Sequence, residues 1–336
     1  MAEAIKMNIK ERNYYFGYDE FKKNIPIDVA DIENVLTLQD RHDLNHNWSF
    51  FKMNHDYIEL IDQYYARLGK GGSVFFVLLI PFLIGLSFLI FILFNPFHDG
   101  DMFLYLLFIG TISFVLLSIL FFCFYPIYKY DKGKPICRPI IFNRNTQKVY
   151  FYINEHEYLE RHWLDVTYAL GTSQGLGGMP IYELRAHIIE DGILKDTFLI
   201  GFPKIGNGAS LGLWSFICHY MQHGMEELKP HPHPMYGTID PLKQLTFCQR
   251  MLGSKESIQD TWRSFRCVYF NNPLPSYFAF PFDLCNLIAR RIFLTIKPLP
   301  VWHSDVVKAN EMDKIREEEI TYRDNYEFKE FEIKDK

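Results

Sequence analysis

Two apolar runs constrain this chain more than any other feature. Residues 73–94 read SVFFVLLIPFLIGLSFLIFILF and residues 102–125 read MFLYLLFIGTISFVLLSILFFCFY, twenty-two and twenty-four residues without a charge. At about 1.5 Å of rise per residue, helices of that length match a hydrocarbon core about 30 Å thick. Core helices of globular domains are rarely so long and apolar on every face. Pro81 and Gly85 are compatible with the reading, because membrane helices tolerate both. The seven residues between the runs, NPFHDGD, make a tight turn, so the pair reads as an antiparallel transmembrane hairpin with both chain ends on one side. The turn has no Lys or Arg. Arg67 and Lys70 precede the first run, and Lys129, Lys132, Lys134, Arg138 and Arg144 follow the second. That asymmetry places both termini in the cytoplasm. The first twenty residues have no apolar core, so no cleavable signal peptide is expected.

Composition matters mainly for what it excludes. A chain with 21 Tyr, 31 Phe, 5 Trp and 22% charged residues is too apolar for disorder. The formal net charge of -5 excludes the basic excess of a dedicated nucleic-acid binder. Cys123, Cys137, Cys218, Cys248, Cys267 and Cys285 show no regular spacing, and they read as reduced thiols rather than a disulfide framework.

The flanks differ in character. Residues 1–72 hold twelve acidic and nine basic residues and read as a polar cytoplasmic lead-in. Within it, DYIELIDQYYARL (56–68) predicts an amphipathic helix, with Asp56 and Glu59 as a capping box. Beyond the hairpin, 126–228 forms a β-rich domain. RPIIFNRNTQKVYFYI (138–153) predicts a hairpin around 143–146, WLDVTYAL (163–170) a third strand, and 181–190 with 194–201 a second hairpin split by Asp191 and Gly192. A helix follows over 210–223, with Ser210 as N-cap and Gly224 as its stop. Residues 229–310 read as a Pro-rich linker and helical segment, with helices at 255–268 and 283–296, and 311–336 as an acidic tail. The expected fold class is therefore a membrane α-helical hairpin plus a cytoplasmic α+β domain. In that domain an antiparallel sheet is followed by a helix, and a pleckstrin-homology-like domain is one form of this arrangement.

The motifs are sparse. The glycine-rich stretch at 171–178 lacks the Lys of a phosphate loop and the helix of a dinucleotide fingerprint, so it reads as a flexible β-loop. His219 and His223 lie four apart on one helix face, opposite Leu213, Trp214, Ile217 and Met221, with His231 and His233 in the linker. That spacing suits zinc, but the run HYMQH lacks the Glu of H-E-x-x-H sites. The four histidines stand as metal candidates against a plainer reading as solvent- or partner-facing side chains. Arg290 and Arg291 interrupt an apolar helix. Either their stems cover apolar surface while their heads reach water, or they contact lipid headgroups beside Arg67, Lys70, Lys129, Lys132 and Lys134. No catalytic constellation stands out, so neither an enzyme, a cofactor nor a small-molecule substrate is expected.

The order of lead-in, hairpin and β-rich domain carries RPIIFNRNTQKVYFY, the Trp163-Leu164-Asp165 step, LIGFP at 199–203 and LWSFICHYMQHG at 213–224. Over roughly residues 70–230 it resembles an uncharacterised family of bacterial two-helix inner-membrane proteins encoded near type VI secretion effectors. The resemblance implies an immunity-like or effector-associated binding protein at the inner membrane, with the bilayer and an effector or toxin as partners. Complementarity with an acidic chain would give that toxin a basic face. A membrane-anchored lipid- or partner-binding scaffold is the alternative. A channel is disfavoured, because neither apolar run offers a polar pore lining.

Overall fold

The computed structural model of the chain describes residues 12–15, 18–21, 23–27, 29–40, 42–44, 49–63, 135, 137–174, 180–225, 228, 298–314 and 320–321. It also describes seven helical positions: Ser87, Ile90, Gly110, Thr111, Ser113, Ser118 and Phe121.

The elements run β1 (Arg12–Tyr15), β2 (Tyr18–Phe21), β3 (Ile25–Pro26), α1 (Val29–Glu33), β4 (Phe50–Met53), β5 (Tyr57–Leu60), β6 (Ile140–Asn143), β7 (Lys148–Asn154), β8 (Glu157–His162), a 3-10 turn (Trp163–Asp165), β9 (Thr167–Gln174), β10 (Pro180–Glu190), β11 (Ile193–Ile205), α2 (Gly208–His223), α3 (Ser304–Ala309) and β12 (Ile320–Thr321). Two main sheets are antiparallel throughout, in the orders β12-β4-β5-β6-β7-β8 and β3-β11-β10-β9, and β1 and β2 form a separate hairpin.

This architecture corrects the expected fold class. Besides those seven helical positions, the described protein is mostly sheet, with α-helices of 5, 16 and 6 residues. Among the described residues no helix is long and apolar enough to cross a membrane. The hairpin-plus-α+β architecture gives way to the two-sheet one, and the two-pass inner-membrane placement goes with it. Apart from the seven helical positions, 73–94 and 102–125 lie outside the described residues, as do the predicted helices at 255–268 and 283–296. The sheets are built from residues on both sides of the two runs, so the segment before them is part of the β structure and not a separate lead-in.

The lead-in is the clearest case. Tyr57–Leu60 is a strand, not the start of a helix, and all four of its residues are buried. Ile58 and Leu60 face the core between the sheets, while Tyr57 joins a second cluster on the other face. With both faces covered, the apolar residues recur closely enough to imitate helical spacing. The local signal is Asn54, not Asp56. Its Oδ1 accepts from the N–H groups of Asp56 (2.9 Å) and Tyr57 (3.0 Å), closing the β4–β5 turn. β5 then pairs with β6, and β3 with β11, so segments before and after the apolar runs share both sheets.

The expected hairpins are present. β6 and β7 flank 144–147, and β10 and β11 turn at Asp191 (φ 53°) and Gly192 (φ 73°). Two successive positive φ values suit a two-residue connection whose twist matches its strands. β8 went unrecognised in the sequence, and the 163–170 strand begins only at Thr167, after the 3-10 turn. The loop read at 171–178 is in part strand, since Gly171–Gln174 completes β9. Helix α2 starts at Gly208 with Asn207 flanking it. Ser210 is not the cap, because it lies inside the helix and donates to the Tyr182 carbonyl at 3.3 Å. Gly224 (φ 86°) ends the helix, its N–H donating to Tyr220 O.

The main core lies between the sheets and under α2. Alternation along β7 sends Val149 and Phe151 inward, while Tyr150 and Tyr152 point to the opposite face. That second face is covered by the segment carrying α3. Trp302 meets Tyr152 edge-on at 5.4 Å, and its Nε1 donates to Glu59 Oε1 at 2.8 Å. Asn143 Nδ2 donates to Asn310 Oδ1 at 2.8 Å beside it.

The N-terminal strap closes the other edge. Leu36 N–H donates to Tyr168 O and Leu170 N–H to Asn34 O, which extends the sheet beyond β9. The strap then crosses α2, where Trp214 Nε1 donates to Thr37 O at 3.0 Å and His42 N–H to Ser215 Oγ at 2.8 Å. Its turn is held by Asp40, whose carboxylate accepts from the N–H and hydroxyl of Thr37. Those two bonds, the backbone one foremost, hold the Asp40 carboxyl below its ordinary value. A depressed carboxyl pKa stabilises the fold above the ordinary Asp value of about 4 and ceases to do so as pH falls through the lowered value. Asp40→Asn is therefore expected to be less stable than wild type at pH 6. The gap should close as pH drops below about 4 in urea melts recorded across that range. A gap that persists at the lowest pH would mean the turn is not held by the ionised carboxylate.

Candidate functional site

The side of the four-stranded sheet away from the core carries a row of charged residues. β10 reads Glu183-Leu184-Arg185-Ala186-His187, so period-2 alternation places Leu184 and Ala186 in the core and Glu183, Arg185 and His187 on the outer face. An outer sheet face is ordinarily wet. Here Glu183 is 2% exposed, Arg185 5% and His187 0%. The roof comes from the N-terminal strap, where Asp31 on α1 is 4% exposed.

The geometry is a shared guanidinium. Arg185 Nη1 lies 2.5 and 2.8 Å from the two carboxylate oxygens of Asp31. Its Nε and Nη2 contact Glu183 Oε1 at 3.1 and 2.8 Å, and Nη2 also donates to Thr172 O at 3.0 Å. The Phe21 ring caps the guanidinium, with Cζ 5.2 Å from the ring centroid. The second oxygen of Glu183 accepts from Gln63 Nε2 (3.2 Å) and Ser173 Oγ (3.4 Å). His187 Nδ1 lies 2.9 Å from Thr197 Oγ1 on the paired strand, while its Nε2 sits 3.1 Å from Asp31 Oδ2 without making a hydrogen bond. Gly171, opposite Glu183 on β9, makes room: a Cβ there would overlap the Arg185 side chain. At the margin, Lys23 pairs with Asp196 and the β3–β11 pairing ties the strap down.

The strand at 181–190 is predicted from the sequence, but none of Glu183, Arg185 and His187 is singled out there; their alternation with Leu184 and Ala186 is the local signal that marks a polar face. That Asp31 would bury the face was not visible in the sequence, because it lies 154 residues away.

Among the residues singled out from sequence, His219 is half-buried and His223 exposed on α2, with ring centroids 4.8 Å apart. Leu213, Trp214, Ile217 and Met221 are buried on the helix, as its apolar face requires. His231, His233, Arg67, Lys70, Lys129, Lys132, Lys134, Arg290 and Arg291 lie outside the described residues. Among the described residues no group of three or more His, Cys, Asp or Glu side chains could hold a metal ion. Cys137 and Cys218 are buried and outside any disulfide, and burial, with Asp62 and Glu59 nearby, pushes the Cys137 thiol well up.

Fold and site together define a predominantly antiparallel β protein with a buried ionic cluster roofed by its own N-terminal strap. The chain belongs to DUF6708, a family of unknown function whose model matches residues 117–314. No curated protein and no solved structure matches it. That match describes no function, so it does not bear on the expected immunity-like role or on an association with type VI secretion effectors.

Proposed function

We propose that the protein is a partner-binding module whose recognition element is the charged outer face of the four-stranded sheet together with the strap that roofs it. The observation that carries this reading is the burial of Glu183, Arg185, His187 and Asp31 on a face that stability alone would fill with apolar side chains. A buried ion cluster adds little net stability compared with apolar packing, and registry or switching is its best-attested use. The strap also presents apolar surface outward, with Ile32 and Val35 both exposed. The chain's overall acidity suggested a basic partner. The local chemistry is more selective, since it is built around one guanidinium.

A photo-crosslinking residue placed at Ile32 tests the reading in cells, with Leu164, exposed on the 3-10 turn, as the control position. A discrete adduct at position 32 but not at 164, lost on Arg185→Met in a folded chain, is the expected result. No adduct at 32, or the same adducts at both positions, would count against it.

A further inference from the structure

We propose that Arg185 and His187 form a carboxylate-binding site, that Asp31 occupies it as an internal ligand, and that an acidic side chain on a short peptide segment of a partner protein displaces Asp31. This rests on the partner-binding reading above and names its ligand chemistry. The first support is the division of labour around Arg185. Glu183, two residues away on the same strand, takes the Nε/Nη2 side, while Asp31 takes Nη1 alone. If Asp31 leaves, Arg185 keeps a carboxylate partner and the sheet is not left with an orphaned cation.

The second support is how the occupant is held. Of residues 31–40 only Asp31 is buried, and the remainder are exposed or half-exposed. The α1 end of the stretch, 31–35, thus inserts one carboxylate and little apolar surface at the site, while Leu36 and Leu38 beyond it pack on the core. Undocking α1 alone returns the Asp31 carboxylate to water and opens Arg185 to it, which roughly balances their buried attraction, and re-exposes few apolar atoms.

The third support is shape. α1 is a five-residue helix lying between backbone pairings at Asn24–Leu194 and Leu36–Tyr168. The space it would vacate is therefore that of a short peptide, bounded at both ends by the strand edges with which the strap pairs. The incoming carboxylate would meet the Arg185 Nη1 donor that now holds Asp31, with the buried His187 Nε2, unpaired by any hydrogen bond and 3.1 Å from Asp31 Oδ2, beside it.

The probe is a synthetic peptide with the sequence of residues 25–36, IPIDVADIENVL, and a second peptide with Asn in place of Asp31. Titrated into the full chain carrying Asp31→Ala, the Asp peptide is expected to bind at least about tenfold tighter than to wild type. The Asn peptide should lose that binding, as should the Asp peptide with the Asp31→Ala/Arg185→Met chain. Equal binding of both peptides, or none to a folded Asp31→Ala chain, would overturn the proposal. If Asp31→Ala does not fold, hydrogen exchange on wild type decides: fast exchange of amides 29–33 against slow exchange in β10 supports displacement, and equal protection refutes it. An adduct at position 32 that depends on Arg185, alongside failed peptide binding, would sink this inference and leave the broader reading intact.

Discussion

Arg185→Ala is expected to destabilise the fold by about 3–5 kcal/mol, as removal of one partner of a buried ion pair does. Without the guanidinium, Asp31 and Glu183 face one another as two buried carboxylates, and the Phe21 ring and the Thr172 carbonyl lose the group they pack on or accept from. Asp31→Ala should cost less, about 1.5–3 kcal/mol, because Arg185 keeps its contacts with Glu183. Replacing Asp31, Glu183 and Arg185 together with apolar residues of similar volume should recover most of the loss. Denaturant titration of the four chains checks the order. An Arg185→Ala chain within 1 kcal/mol of wild type would mean that water reaches the cluster, contrary to its observed burial.

Trp214→Ala is expected to cost a comparable amount, about 3–5 kcal/mol. Trp214 is buried in the middle of α2 and lies 4.6 Å, centroid to centroid, from the ring of Tyr168, with Trp163 at 6.4 Å. It therefore joins the helix to the four-stranded sheet. Its Nε1 also holds the strap through the Thr37 carbonyl. Trp214→Phe keeps most of the volume and loses that bond, so its excess cost should include about 0.5–1.5 kcal/mol for the hydrogen bond. The informative readout is local: hydrogen exchange over 36–42 should rise in Trp214→Phe while β7 remains protected. Uniform acceleration across both would instead point to a general core defect.

Several elements were legible in the sequence because their causes are local. The 138–153 hairpin announces itself by a turn-rich tetrapeptide between apolar runs. The β10–β11 turn does so by Asp191 and Gly192, which take the two positive φ values the connection requires. The stop of α2 at Gly224 is of the same kind. Where local cues had two readings, the expectation failed. Tyr57–Leu60 shows helical spacing only because both faces of β5 are covered, by the core on one side and by the Trp302 segment on the other. Ser210 has a capping side chain but is used inside the helix. Residues 1–72 looked polar enough to be a lead-in, yet they supply an edge to one sheet and interior strands to the other.

The two apolar runs remain the most conspicuous feature of the chain, and alone they suggested a membrane hairpin as the organising element. The described fold is organised otherwise, around two antiparallel sheets whose strands come from both flanks of those runs. Sequence by itself determined the alternation of β7 and β10, the turn positions and the apolar face of α2, since each depends on residues within a few positions of one another. Only the tertiary structure decided which faces are wet. Glu183, Arg185 and His187 form an ordinary polar strand face until Asp31, 154 residues before Arg185, closes over them. Burial of a charge depends on what covers it, and nothing local to β10 encodes the cover.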